Sequence, residues 1–190
     1  MTRANGASPN PRSLHTFAAI VEDKPGVLNR VASLFRRRGF NIHSLSVGPT
    51  HQPGASRMTL VVRTDEESSR HVEANLYKLV NVLKVEDLTY RSSVEREMAL
   101  IKVRANAEQR AEVMQISDAF RARVVDVAKQ ALIVEITGDE NKIESLLELL
   151  EPYGIIEVAR TGSVALTRGV EPPTYMPEFL TRNRGENKAA

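Results

Sequence analysis

"EDKPGVLNRVASLFRRRGFNI", residues 22–42, opens on a Pro-Gly pair and closes on an arginine triplet followed by Gly39. Between these ends Val27, Leu28, Val31, Leu34 and Phe35 recur at helical spacing, so residues 26–38 read as one amphipathic helix. Arg36, Arg37 and Arg38 fall where cations complement the negative end of a helix dipole, which explains them more simply than phosphate binding does. Upstream, "LHTFAAIV" (14–21) is an apolar run of strand length. Downstream, "FNIHSLSVGP" (40–49) and "SRMTLVVRT" (56–64) read as two strands joined by the turn-rich "THQPGA" (50–55). Val72, Leu76, Leu79, Val80 and Leu83 then mark a second amphipathic helix, and "VEDLTY" (85–90) a fourth strand. The order is βαββαβ.

After Arg91 the order recurs. "EMALIKVRA" (97–105) is a strand, 109–120 a helix with Val113, Ile116 and Phe120 inward, and "RARVVDVA" (121–128) and "ALIVEITG" (131–138) are strands. A helix over 139–151 turns Ile143, Leu146, Leu147 and Leu150 inward, and "IIEVARTG" (155–162) closes the unit. "RSSVER" (91–96) is a polar junction too brief to act as a flexible tether. The split βαββαβ unit is the ferredoxin-like arrangement, two helices covering one face of an antiparallel sheet. The expected class is therefore α+β: two ferredoxin-like βαββαβ domains in tandem, at 13–91 and 95–169. A disordered tail is expected over 1–12 and an extended arm, broken by Pro172, Pro173 and Pro177, over 170–190. Strand one is apolar at Leu14, Ala18 and Ile20 as well as at Phe17, Ala19 and Val21. Something should cover the face its helices leave bare, and another copy of the chain is the simplest cover.

Composition narrows the chemistry. With 190 residues and 42% hydrophobic content the chain is long enough for two small soluble domains, and no apolar run approaches a membrane span. The N-terminal residues lack the apolar centre of a secretory signal, and the chain has 0 Cys, so disulfides and thiolate metal sites are excluded and a cytoplasmic location is expected. Basic residues number 26 against 24 acidic ones, interspersed, which is a weak pointer to nucleic acid. No serine-hydrolase elbow, zinc-protease helix, phosphate loop or dinucleotide fingerprint occurs, so the chain reads as non-catalytic. His15, His43, His51 and His71 are scattered rather than spaced as ligands, and no metal site is expected. "TDEESS" (64–69) and "GDENKIE" (138–144) each open a helix, where Asp and Ser cap free amides.

The Pro-Gly pair carries two readings. It is either a tight turn into a helix or a ligand site. A helix start offers unpaired amides and partial positive charge, and Gly26 lets a ligand approach the backbone. The amides of Gly26, Val27 and Leu28 would take a carboxylate, Asp23 an ammonium, and Asn41 either pole. Val27, Leu28 and Ile42 would meet a small aliphatic side chain, so the set suits an apolar amino acid. The matching junction of the second half, "RANAEQRAEV" (104–113), has no Pro-Gly pair, so the fold itself does not demand one. That favours a ligand site in the first half only.

"EDKPGVLNRVASLFRRRGFNIHSLSV" resembles the opening of an ACT domain. Together with "SRMTLVV", "LYKLVNVLKVEDL", "SVEREMALIKV" and "IIEVARTGSVALTRG" it is similar to the regulatory small subunits of acetolactate synthase, over residues 14–169. The resemblance implies an N-terminal ACT domain that pairs with a second copy and binds valine, or leucine or isoleucine, at that interface. It also implies a partner, a large catalytic subunit carrying thiamine diphosphate, FAD and magnesium, which makes acetolactate for branched-chain amino acids. The small subunit would have no cofactor of its own, would raise the partner's activity and would confer feedback inhibition. By position, Asp23, Gly26, Val27, Leu28, Asn41 and Ile42 would bind the effector; Asp23 stands where several members carry Asn. Two other readings have different consequences. A free-standing amino-acid sensor acting on another enzyme or a transcription regulator would not stimulate a synthase. An RNA-binding module of the same element order would need exposed strand aromatics, against 5% aromatics here.

Overall fold

The structure, a computed structural model, describes residues 13–169; the expected tail and arm lie outside the described residues. The chain divides after Ser92 into two compact units, the second running from Ser93 to Leu166.

In the first unit, β1 (Ser13–Glu22), α1 (Val27–Arg38), β2 (Asn41–Pro49), β3 (Ala55–Thr64), α2 (Glu66–Leu76) and β4 (Val82–Asp87) follow in order. The sheet runs β2-β3-β1-β4, every pairing antiparallel, with Phe17 opposite both Leu60 and Asp87. Odd-numbered Phe17, Ala19 and Val21 of β1 join Met58, Leu60 and Val62 of β3 on the face covered by the helices. Val27, Val31, Leu34 and Phe35 of α1 and Val72 and Leu76 of α2 pack down onto it. Helix α1 stops at Gly39, left-handed at φ 70°, and the Phe40 amide donates back to Phe35 O at 3.1 Å. The two rings meet edge-on at 5.9 Å, the apolar contact that accompanies such a C-terminal motif.

The second helix differs from its expected extent. It ends at Leu76, and Lys78, Leu79 and Val82 instead donate to the carbonyls three residues before them. Those successive tight turns swing the chain into β4, which begins at Val82, so Leu79, Val80 and Leu83 are not helical and Val80 is 89% exposed. A period of three to four and a period of two coincide over this short apolar run, which hid the boundary. Tyr77 supplies the reason for stopping: its hydroxyl donates to Val85 O at 3.1 Å and accepts from Val85 N at 3.0 Å. Residues 88–90, read as the end of a strand, form a turn in which Thr89 accepts from the Thr16 amide at 3.1 Å.

The second unit repeats the plan with β5 (Ser93–Arg104), α3 (Arg110–Ala119), β6 (Arg123–Val127), β7 (Ala131–Gly138), α4 (Glu140–Leu150) and β8 (Ile155–Arg160). Its sheet runs β6-β7-β5-β8. The core joins Ala99, Ile101 and Val103 to Leu132, Val134 and Ile136, under Val113 of α3 and Ile143, Leu146 and Leu150 of α4. Two details correct the expectation. The polar junction 91–96 is already strand from Ser93, and beyond the closing strand a ninth one, β9 (Val164–Thr167), pairs with β5. Val164, Ala165 and Leu166 form an apolar run too short and too uniform for period-two alternation to mark it as a strand, and in the fold only Ala165 is buried.

The acidic helix starts are caps, as expected. Asp65 Oδ1 accepts from the Ser68 amide and Asp139 Oδ1 from the Lys142 amide, each at 2.9 Å.

Candidate functional site

β1 delivers the chain to the Pro-Gly turn, and three main-chain bonds shape it there. The Asp23 amide donates to Gly54 O at 2.9 Å, the Lys24 amide to Glu22 O at 3.1 Å, and the Arg30 amide to Gly26 O at 3.1 Å. Gly26 sits at φ 84°, a left-handed conformation that costs an L side chain about 1–2 kcal/mol, and a Cβ added there would meet nothing within 4 Å. The position is thus selected by backbone shape and leaves open space above it.

No side chain caps α1. Among the described residues nothing accepts from the amides of Gly26 and Leu28, while the Val27 amide makes a long turn bond to Lys24 O at 3.4 Å. Of the three amides expected to be free, two are. Asp23 and Gly26 are exposed beside them, Val27 is buried in the core, and Leu28 lies 46% exposed on the outer rim.

Asn41 and Ile42 are elsewhere. Asn41 pairs with Arg63 and Glu22 with Ala55, so the two groups stand eight residues apart along β3, about 27 Å at ~3.4 Å per residue. One chain therefore brings Asp23, Gly26, Val27 and Leu28 together at one end of the sheet and holds Asn41, exposed, and Ile42, half-buried, at the other. β2, which carries both, is an edge strand.

A polar network that the sequence reading missed underlies the turn. Asn81, just before β4, gives its Nδ2 to Glu22 Oε2 at 2.5 Å and accepts from Arg30 on Oδ1 at 2.9 Å. Its main-chain oxygen also accepts from the Glu22 amide at 2.9 Å. Lys24 Nζ reaches Glu22 Oε1 at 3.2 Å. These hydrogen bonds, Asn81 first and Lys24 next, hold the Glu22 carboxyl below its usual pKa. No local signal pointed to Asn81, which lies 59 residues from Glu22 in a stretch that resembled a helix.

His15 is wholly buried, with Ser13 Oγ 3.0 Å from Nε2 and the Tyr90 ring edge-on at 6.2 Å; His43, His51 and His71 are exposed to differing degrees. Among the described residues the one Phe or Tyr on a strand is Phe17, and it is buried, so neither sheet offers a base-stacking platform.

Residues 17–84 match the family model described as an AHAS small subunit-like ACT domain, and residues 96–169 the one described as the small subunit of acetolactate synthase. The acetolactate synthase small subunit of Mycobacterium leprae is 52% identical over 155 residues, covering 82% of this chain and 92% of that protein. The chain belongs to the acetolactate synthase small-subunit family. The small subunit of Mycolicibacterium smegmatis is 50% identical over 160 residues, 84% of this chain and 94% of that one. The crystal structure of the acetolactate synthase small subunit from Thermotoga maritima superposes with a TM-score of 0.77 at 42% identity, covering 84% of this chain and 99% of that one. Both units are thus a small-subunit fold, the first an ACT domain, with the role of a regulatory subunit beside a catalytic one. Among the described residues no helix is long and apolar enough to cross a membrane.

Proposed function

We propose that the chain activates a catalytic large subunit of acetolactate synthase in the cytoplasm and makes it sensitive to valine, or to leucine or isoleucine. The open start of α1 carries this reading: the Gly26 and Leu28 amides without acceptors, beside an exposed Asp23, offer a carboxylate and an ammonium their partners. Leu28 on the rim supplies apolar surface for a short aliphatic side chain.

The second half of the site comes from a second copy. If two ACT units join antiparallel along the free edge of β2, centred on Leu45, Asn41 of one copy faces Pro49 of the other. That is the end of the partner's sheet at which its α1 begins, because Pro49 lies opposite Ser56, and Ser56 opposite Val21. The gap within one chain is thereby closed between two. An effector clamped there shifts the catalytic subunit by the difference in its affinity for the two arrangements of the pair, typically about 1–3 kcal/mol. The chemistry, with thiamine diphosphate, FAD and magnesium, stays in the partner, and this chain contributes no catalytic residue.

Gly26→Asp tests the site, since it sets a carboxylate against the ligand's own. Mixed with the large subunit, the variant is expected to stimulate acetolactate formation normally and to lose inhibition by valine. Gly26→Ala carries the same backbone strain without the charge and should retain inhibition at higher valine. Inhibition of the Asp variant at wild-type valine concentrations would refute the assignment.

A further inference from the structure

We infer that Asn81 is a positioning residue for the effector site, holding the end of β1 and the first turns of α1 in the relation that keeps the mouth of α1 open. The inference rests on the function proposed above and names a residue that does not itself face the ligand. The two residues gripped by the Asn81 carboxamide, Glu22 and Arg30, take part in two of the three main-chain bonds that shape the turn. The Glu22 carbonyl accepts from the Lys24 amide, and the Arg30 amide holds the Gly26 carbonyl. Asn81 thus closes a ring of bonds that runs from Glu22 through the Pro-Gly turn to Arg30 and back.

The ring demands an amide. Asn81 must give a hydrogen to a carboxylate on one side and receive one from a guanidinium on the other, and among side chains of this length only a carboxamide does both. An aspartate keeps the bond to Arg30 but repels Glu22; an alanine makes neither. Lys24 cannot substitute, since its side chain is 64% exposed and an ion pair so placed holds little. Asn81 also leads directly into β4, so the turn between α2 and β4 is mechanically joined to the ligand mouth.

The test is valine, leucine or isoleucine binding to the full chain, by calorimetry, in wild type, Asn81→Asp, and Asn81→Asp combined with Glu22→Gln. The double variant reverses the polarity of the bond, with the carboxamide introduced at position 22 donating to the carboxylate introduced at position 81, and conserves total charge. The single variant should bind at least about ten-fold more weakly and the double variant should return to within about three-fold of wild type. A merely structural part for Asn81 would leave the double variant as damaged as the single one. If the single variant does not fold, the double variant decides alone, wild-type-like affinity supporting the inference and lost affinity refuting it. Undiminished binding by Asn81→Asp refutes it as well, whereas a wild-type chain that binds none of the three amino acids refutes the proposed function itself.

Discussion

The two units start their first helices differently on the same fold. Asn106 and Asp23 hold equivalent places, each three residues before the last residue preceding its helix, Gln109 and Gly26. Asn106 Oδ1 accepts from the amides of Glu108 at 3.0 Å and Gln109 at 2.9 Å, so a side chain closes the turn that leads into α3, although none bonds to the helix's own amides. In the first unit the residue matching Glu108 is Pro25, which has no N–H to give, and Gly26 turns away at positive φ. The contrast teaches that an open helix start is a local choice made by two residues. The βαββαβ plan tolerates either version: in the second unit an asparagine side chain takes up the two turn amides, and in the first unit no side chain does.

Four substitutions sharpen or break that contrast. The largest effect belongs to what the units share. Phe35→Ala and Leu146→Ala each empty a fully packed position, and calorimetric or denaturant unfolding should lose about 3–5 and 2–5 kcal/mol. A loss under about 1 kcal/mol in either would show that the two cores are not alike. Next comes Pro25→Ala, which restores an N–H that Asp23 can accept. Half-maximal valine for inhibition of the holoenzyme should rise several-fold while thermal stability stays level; unchanged sensitivity would mean that the missing donor is irrelevant to the site. The smallest is Asn106→Ala, which should cost about 1 kcal/mol of unfolding free energy and leave valine inhibition as in wild type. Altered inhibition there would place a ligand site in the second unit too.

Much of this is legible in the residues alone. The first sheet, the β6-β7-β5-β8 part of the second, the inward faces of α1, α3 and α4, and the Asp65 and Asp139 caps follow from periodicity and cap chemistry, which act within a few residues. The ACT resemblance rests on the motif from Glu22 to Ile42. What local pattern could not supply was distance. It grouped Asn41 with Gly26 in one ligand set without the length of sheet that separates them within one chain, and it had no means of pairing Asn81 with Glu22 and Arg30. The end of α2 escaped for a related reason, because the hydroxyl of Tyr77 that fixes it bonds to a strand still to come.

That hydroxyl has an architectural outcome. By occupying the N–H and C=O that Val85 turns outward, it blunts the β4 border of the ACT sheet against any visiting strand. A strand pairing along that border would first have to displace the phenol from Val85. A sheet that can be extended along one border only would be complete after one addition, so a lone phenol at the other border works against open-ended growth.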